Sequence, residues 1–257
     1  MHNFMQHFNF NPDRAFWIGV ERERLIADRN GAIVPWAERI LKHLGGSDRF
    51  TYEMSACQVE DHVGPCPLDQ VMEGLTANNR SLSLAETALQ FRQFPDEVGP
   101  EKMPLDVYPD PTGRYQQIAP VLKSEGKLLA ACQVAGTHIH VGMPNHETAL
   151  RVYNGVIDQV DRLCDLGDHS AGERMRIYRI VRPDFTPPPF PSWEVFHEYA
   201  LEQGFAENPR DCWNMIRMSR HGTIEFRMFG VARSLKEVFS WAEECHDLCR
   251  ASLTATV

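Results

Sequence analysis

Side chains that can bind metal or neutralise phosphate recur at every second position in three short stretches of the sequence. The three pairs are Glu21 with Glu23, His138 with His140, and Glu225 with Arg227. Because side chains at i and i+2 project from the same face of a β-strand, each pair can point into one site. Taken alone, each pair is better explained by a solvated strand face, and only the three pairs together favour a site. Several carboxylates beside an imidazole are costly without a cation, and the combination suits Mg²⁺ or Mn²⁺ better than a thiolate-binding metal.

Two further carboxylates, Glu53 and Glu60, lie in a stretch that reads as another strand, residues 49–63. They are seven positions apart and would therefore lie on opposite faces of an ideal strand unless a bulge or bend intervenes. His140 is expected to hydrogen-bond behind the metal site rather than to bind the ion. His221 is expected to be a turn residue.

Arginines cluster in the stretch GERMRIYRIVRP, which precedes a proline-rich loop. Most of these side chains are expected at the surface. Arg179 and Arg182 are the candidates to reach a carboxylate or phosphate with the bidentate fork of the guanidinium group.

Hydrophobic periodicity predicts the elements that must position these residues. Strands are predicted at 16–27, 49–63, 132–143 and 222–230, and helices at 34–44, 68–94, 145–166, 193–203 and 234–253. Residues 95–126 carry many turn signals and are predicted to be an irregular loop that covers a site. The sequence has no internal repeat and no linker, so we expect a single catalytic domain over residues 1–257.

Composition excludes several classes of protein. The net charge of −9 and the absence of a basic run argue against binding to duplex nucleic acid. No apolar stretch approaches the roughly 20 residues that cross a bilayer, and no signal peptide is evident, so a cytoplasmic protein is expected. Homo-oligomerisation is left open.

The seven cysteines are scattered without CxxC spacing, which favours reduced thiols. His246 and Cys249 could share a helical face as metal ligands, but a buried cysteine in a helix is the simpler interpretation.

Four motifs together resemble a known family. GVERERLIADRNG, TYEMSACQVEDHVGP, GTHIHVGMP and RHGTIEFRM occur in the order seen in glutamate–cysteine ligases, with most likeness to the bacterial type-2 branch of carboxylate–amine ligases. The resemblance spans residues 16–229, and its wider relatives include glutamine synthetase.

The resemblance implies an α+β fold like that of glutamine synthetase, with a curved antiparallel sheet forming a half-barrel funnel and helices packed on its outer face. It implies ATP at one end of the funnel, an amino-acid substrate at the other, and Mg²⁺ or Mn²⁺ between them. Small amino acids and amines would be its partners.

The resemblance also implies roles for individual residues. Glu21, His138 and Glu225 would hold the metal that bridges the phosphates. Glu23, Glu53 and Glu60 would hold the metal near the substrate. Arg227 would neutralise the transferring phosphoryl group, and Arg217 is a candidate substrate contact because the family often has an arginine before the GTIEFR strand.

The activity implied is ATP-dependent carboxylate–amine ligation, with γ-glutamyl amide formation through an acyl phosphate. No Walker A loop is present, so ATP would be held at the acidic metal site. Two alternatives remain open: a metal-dependent hydrolase that activates water with the same residues, and a non-catalytic binding protein on the same fold.

Overall fold

An antiparallel β-sheet organises residues 2–254, the part of the chain that the computed structural model describes. Its strands are β1 (Ile18–Asp28), β2 (Phe50–Tyr52), β3 (Gln58–Cys66), β4 (Phe91–Gln93), β5 (Thr137–Gly142), β6 (Ile216–Ser219) and β7 (Thr223–Phe229). The strand order is β2-β3-β1-β5-β7-β6, and β4 pairs with the end of β1. The predicted α+β class with an antiparallel sheet is confirmed.

Helices connect the strands. Within residues 2–254 they are α1 (His2–Met5), α2 (Ala37–His43), α3 (Val71–Leu89), α4 (Arg114–Ser124), α5 (Leu128–Gln133), α6 (His146–Val156), α7 (Val160–Gly167), α8 (Glu173–Val181), α9 (Trp193–Glu202) and α10 (Leu235–Thr254). No helix among these residues is long and apolar enough to cross a membrane.

Alternation along the strands separates an apolar face of the sheet from a charged face. The apolar face carries fully buried side chains such as Val20 in β1, Ile139 in β5 and Ile224 in β7. Helices α3, α6, α7 and α10 pack against these strands and complete the core. Burial of this apolar face provides the main driving force for folding. The opposite face of the sheet can therefore carry polar side chains.

One ion pair is buried on the helix side of the sheet. Arg22 in β1 lies directly across from Asp61 in β3, and its Nη2 donates to Oδ2 at 2.7 Å. Asn78 of α3 donates to the same oxygen at 3.1 Å. Both charged side chains are almost completely buried, so the pair fixes the register of β1 against β3.

Several predicted elements are confirmed. Strand β1, strand β7, helix α9 and helix α10 lie where their periodicity predicted them, within a residue or two at most boundaries. The expectation of a buried cysteine in the last helix is also confirmed, because Cys249 is fully buried.

Residues 49–63 were predicted to form one continuous strand, and this was wrong. Residues 53–57 form a turn that separates β2 from β3. The predicted helix 68–94 was too long. Gln90, with φ of 64°, has the left-handed conformation that ends α3. The next residues form β4, which the sequence had not predicted.

The remaining errors concern short helices. Residues 95–126 were predicted to be irregular but contain α4, whose only buried residue is Ala119, so that its amphipathic pattern is weak. The predicted strand 132–143 begins in α5, because a short apolar run does not distinguish a buried helix from a strand. The predicted helix 145–166 is interrupted at Ile157–Gln159, although buried residues keep helical spacing across the break. Helix α8 and strand β6 were not predicted.

Candidate active site

The charged face of the sheet gathers carboxylates and imidazoles from three neighbouring strands. Glu21 in β1 lies opposite His62 in β3 on one side and opposite His138 in β5 on the other. Glu23 lies opposite Glu60. His138 is 3.3 Å from Glu21 through Nδ1 and 3.7 Å from Glu23 through Nε2. Strand pairing therefore brings side chains from distant parts of the sequence into one cluster.

His140 extends this cluster toward β7. It lies opposite Gly19 in β1 and opposite Glu225 in β7. A Cβ added to Gly19 would lie 3.3 Å from the Cβ of His140, so the glycine leaves room for the imidazole ring. The Nε2 of His140 is 3.4 Å from Glu21, and its Nδ1 is 2.8 Å from the hydroxyl of Thr223.

Three groups of side chains have ligand atoms close enough to share a metal ion. Their members are Glu21, His140 and Glu225; Glu23, Glu60 and His138; and Glu21, Glu60 and His62. Within each group the ligand atoms lie within 4.8 Å of one another. Carboxylate oxygens with an imidazole are suitable ligands for Mg²⁺ or Mn²⁺.

The geometry differs from the predicted ligand sets in the places of the two histidines. His140, and not His138, lies with Glu21 and Glu225, whereas His138 joins Glu23 and Glu60. The expectation that His140 lies behind the site is therefore not what the geometry shows. The reason is the register of β5 against β7, which places Glu225 opposite His140 and which a single sequence does not specify.

Glu53 reaches the cluster because the chain turns. It follows directly after β2, and the turn over residues 53–57 returns the chain to β3, so Glu53 and Glu60 line the same cleft. Burial and the charge of Glu60 raise the pKa of Glu53 well above its usual range. The bend that the spacing required is therefore present.

The charge balance changes along the cluster. Burial and the neighbouring Glu21 and Glu23 raise the pKa of Glu60 well above its usual range, and burial raises the pKa of Glu23. Burial also opposes ionisation of Glu21, but the charges of His140 and His138 hold its pKa well below the usual range. The raised pKa values of Glu23, Glu53 and Glu60 show that these crowded carboxylates are only partly neutralised by their neighbours, and a divalent cation would stabilise their ionised forms.

Glu225 lies between two arginines. Arg217 in β6 donates from Nε and Nη2 to the two carboxylate oxygens at 2.7 Å and 2.9 Å, and Arg227 donates through Nη1. Burial opposes ionisation of Glu225, but Arg217 and Arg227 hold its pKa well below the usual range. The Nε of Arg227 is buried without a hydrogen-bond partner among the described residues.

Arg217 is occupied by contacts within the protein. Besides Glu225, it donates from Nη1 to the backbone carbonyls of Arg210 and Cys212. Its contacts orient Glu225. Its role as a substrate contact stays a prediction.

The structure places Arg179 and Arg182 away from the cluster. The Arg179 guanidinium lies 4.8 Å from the centre of the Phe185 ring, and Arg182 donates to Gln203 at 2.9 Å. Neither residue lines the cleft over the charged face. Arg174, from the same helix, is buried at the cleft and donates to the carbonyls of Ala135 and Met228, because α8 turns this side of its surface inward.

Two cavities meet at the cluster. The first, of about 510 Å³, lies beside the start of β1 and is lined by N-terminal residues including Phe10, Arg14 and Trp17. The second, of about 340 Å³, covers the charged face of the sheet. Four residues line both cavities: Glu21, His62, His140 and His221. His221 lies in the turn between β6 and β7, as predicted, and it also lines both cavities.

Sequence reasoning missed several residues of the second cavity. Arg114 and Tyr115 enter it from α4, and Arg210 and Trp213 enter it from the segment before β6. Arg114 donates to Asp211 at 2.5 Å and so connects the two sides of the cavity. These residues come from segments without a periodic signal. His62 could have been found, because it stands two positions after Glu60 and shares its strand face.

Comparison with known proteins finds relatives that are similar over most of the chain. No model of a protein family matches the chain. A Saccharopolyspora erythraea protein named "Putative glutamate--cysteine ligase 2-2" is 28% identical over 92% of the chain. A Leifsonia xyli protein named "Putative glutamate--cysteine ligase 2" is 24% identical over 95% of the chain. The chain is similar over nearly its whole length to proteins named glutamate–cysteine ligase 2. The predicted resemblance is thus confirmed, and the chain spans 65% of the length of the first relative and 69% of the second.

A solved structure has a similar fold. A bifunctional glutathione synthetase from Pasteurella multocida matches 98% of the chain with a TM-score of 0.59 and 13% sequence identity. The chain covers 41% of that protein. The likeness concerns the arrangement of the sheet and helices alone.

Proposed function

We propose that this protein is an ATP-dependent carboxylate–amine ligase that forms a γ-glutamyl amide. One observation carries the proposal: four carboxylates and three imidazoles from β1, β3, β5 and β7 form a continuous set of potential metal ligands on one face of the sheet. Names of relatives that cover nearly the whole chain agree with this activity.

Divalent cations, Mg²⁺ or Mn²⁺, would be held by these groups. Glu21, His140 and Glu225 would hold the ion at the phosphates, and Glu23, Glu60 and His138, with Glu53 beside them, would hold the ion at the substrate. The cations would neutralise the phosphate oxygens of ATP when bound.

The two cavities suggest how the substrates are arranged. The cavity beside the start of β1 would take the nucleoside, because it borders Glu21 and His140 and has the aromatic wall of Phe10 and Trp17. The cleft over the charged face would take the amino acid and the amine, with Arg114 and the exposed Arg210 at its wall as cations for substrate carboxylates.

The reaction would proceed in two substitutions. A carboxylate oxygen of the donor attacks the γ-phosphorus, the bond to the β-phosphate oxygen breaks, and ADP leaves with that electron pair. The amine nitrogen then attacks the acyl carbon, inorganic phosphate leaves, and the nitrogen loses its proton. Phosphoryl transfer mainly requires positioning and charge neutralisation, so no protein nucleophile is needed.

The arginines at β7 would serve the first substitution. Arg227 has a buried Nε without a hydrogen-bond partner among the described residues, and this group is available to a phosphoryl oxygen. Arg217 would hold Glu225 ionised and correctly oriented. Preorganised charges of this kind can stabilise the charge that develops during phosphoryl transfer.

The proposed function also implies a particular shape for the sheet. The antiparallel sheet with helices on its apolar face would form the funnel of a glutamine synthetase-like catalytic domain. A single domain and a cytoplasmic location also remain predictions.

A screen of ADP release tests the proposed function. Amino acids would be combined with amines in the presence of ATP and either Mg²⁺ or Mn²⁺, and ADP and phosphate would be measured. A ligase should release ADP rapidly only when both the carboxylate and the amine are present. The carboxylate donors in the screen should include glutamate, and the amine acceptors should include cysteine among several others.

Two outcomes would contradict the ligase. Release of phosphate or cleavage of an amide without ATP would identify a metal-dependent hydrolase. Binding of ATP or amino acid without any turnover over the whole screen would identify a binding protein on the same fold.

A further inference from the structure

Part of the cleft over the charged face is lined by aliphatic side chains that the proposed chemistry does not use. They come from α4, from α8 and from the residue that follows α5, and they are Ile118, Leu122, Val134 and Val181. We call these four residues the aliphatic wall. All four are only partly buried by the protein itself. Ligand sites commonly combine such an apolar lining with a few polar groups that fix orientation, so this wall can take the apolar part of a substrate.

Helix α4 directs its apolar side chains toward the cleft rather than into the core. Ala119 is its only buried residue, so core packing accounts for little of its pattern. Arg114, Ile118 and Leu122 follow one another at intervals of four, share a helix face and line the cleft together. Since a helix rises 1.5 Å per residue, Ile118 and Leu122 lie ~6 Å and ~12 Å along the axis from Arg114. The cleft-facing side of α4 therefore presents a cation and then two aliphatic groups.

A second cation of the cleft is available to a ligand. Arg114 donates to Asp211 at 2.5 Å, so its charge is already paired. Arg210 lines the same cleft, is exposed, and makes no ion pair among the described residues. A guanidinium group binds a carboxylate through two parallel hydrogen bonds. The cleft thus offers a carboxylate site and an apolar surface to one ligand.

The proposed donor does not account for the aliphatic wall. Glutamate is charged at both ends of a short methylene chain, and its reacting carboxylate must lie at the phosphates. The acceptor has to place only its amine at the acyl carbon, so its side chain can extend along the wall. Cysteine, with its short side chain, would cover little of this surface.

We propose that the acceptor is an α-amino acid with a larger apolar side chain, such as leucine, methionine or phenylalanine, and that Ile118 and Leu122 determine this specificity. This inference rests on the proposed function, and the chemical steps are those given there. The α-carboxylate of the acceptor binds Arg210, and its side chain lies on the aliphatic wall. One methylene group in an apolar pocket changes specificity by about 10- to 200-fold, so leucine should exceed alanine in kcat/KM by at least about 100-fold.

A series of acceptors tests the proposal in two ways. The full chain is supplied with ATP, Mg²⁺ and glutamate, and kcat/KM for ADP release is measured with glycine, alanine, cysteine, leucine, methionine and phenylalanine. At least one of the last three should exceed cysteine by about tenfold or more. Isothermal titration calorimetry with Mg²⁺ and a non-hydrolysable ATP analogue measures binding of leucine and cysteine without turnover, and leucine should bind more tightly.

Variants of α4 identify the residues that select the acceptor. Ile118→Asn should lower the ratio of kcat/KM for leucine to that for alanine by at least about tenfold. Ile118→Phe fills part of the cleft and should reverse the preference between phenylalanine and alanine. Val121 supplies a matched control, because it is 54% exposed in the same helix and does not line the cleft. Val121→Asn should keep the leucine-to-alanine ratio within about twofold, and circular dichroism establishes that each variant is folded.

Three results would overturn the proposal: cysteine or glycine as the best acceptor of the wild type, an unchanged ratio in folded Ile118→Asn, or an equal loss in Val121→Asn. The wild-type series decides even if the Ile118 variants do not fold. If no acceptor promotes ADP release but leucine binds more tightly than cysteine, the ligation is wrong and the apolar amino-acid site is supported. If cysteine binds more tightly, the apolar acceptor is wrong whether or not ligation occurs.

Discussion

Arg217 and Arg227 contact the same carboxylate, but their other contacts separate their roles. Arg217 also donates hydrogen bonds to two backbone carbonyls, whereas the Nε of Arg227 has no hydrogen-bond partner among the described residues. The contacts of Arg217 hold the Glu225 carboxylate in place as a proposed metal ligand. The free Nε of Arg227 can donate a hydrogen bond to a substrate oxygen.

Lysine substitutions should separate these two roles. Arg217→Lys loses the bidentate contact with Glu225, and one charge-assisted hydrogen bond contributes about 1.5–3 kcal/mol, so Mn²⁺ affinity should fall about 10- to 100-fold. Arg227→Lys should lower kcat for ADP release and leave Mn²⁺ affinity within about twofold. Mn²⁺ titration and steady-state kinetics measure the two quantities.

The opposite pattern would change the assignment. If Arg217→Lys lowers kcat or raises the substrate KM while Mn²⁺ affinity is unchanged, Arg217 contacts the substrate, as the sequence suggested.

The sequence could predict which residue types meet in the site but not how they are grouped. Glu21, Glu23 and Glu225 follow from period-two spacing and from the family motifs. The exchange of places between His138 and His140 depends on the register of β5 against β7, which arises from packing over the whole sheet. Glu53 required a turn that the strand-like composition of residues 49–63 concealed.

At the scale of elements, the buried ion pair between β1 and β3 has a testable energetic consequence. Arg22→Met should destabilise the protein by about 3–5 kcal/mol, because Asp61 would remain buried without a counter-charge. Arg176→Met removes an exposed partner of Glu173 in α8 and should leave stability nearly unchanged. Urea unfolding of both variants measures the difference.

Equal midpoints for the two variants would show that Asp61 is adequately solvated or neutralised without Arg22. In that case the hydrogen bond from Asn78 would be the main stabilising contact of Asp61.

The elements that could be predicted are those with one apolar face and clear ends. Helix α10 and strand β7 each have an apolar face and clear boundary signals. Helix α4 has almost no buried side chain, and α8 was concealed by a run of arginines of which only Arg174 is buried. Tertiary contacts determine these short helices more than their own periodicity does.

At the scale of the whole molecule, burial sorts the seven free cysteines into two classes. Cys66 and Cys164 are partly exposed, and the other five are buried. Burial raises the pKa of Cys57 to about 11 and that of Cys132 to about 12. Since the thiolate is the reactive form, most of the thiols should be inert in the native protein.

Titration with Ellman's reagent checks this expectation. The native protein should release at most two equivalents of thiolate chromophore quickly, and the denatured protein should release seven. Cys66→Ser and Cys164→Ser should each remove one native equivalent. Rapid reaction of a third thiol in the native state would show that the core around α10 or α5 opens more often than its burial suggests.

The order of the strands also has a consequence for contact between molecules. The outermost strands, β2 and β6, are three and four residues long, whereas the central β1 has eleven residues. Short edge strands offer few free backbone groups to a neighbouring chain, which disfavours sheet extension and aggregation. If copies of this protein assemble, helical surfaces and not sheet edges should form the interface.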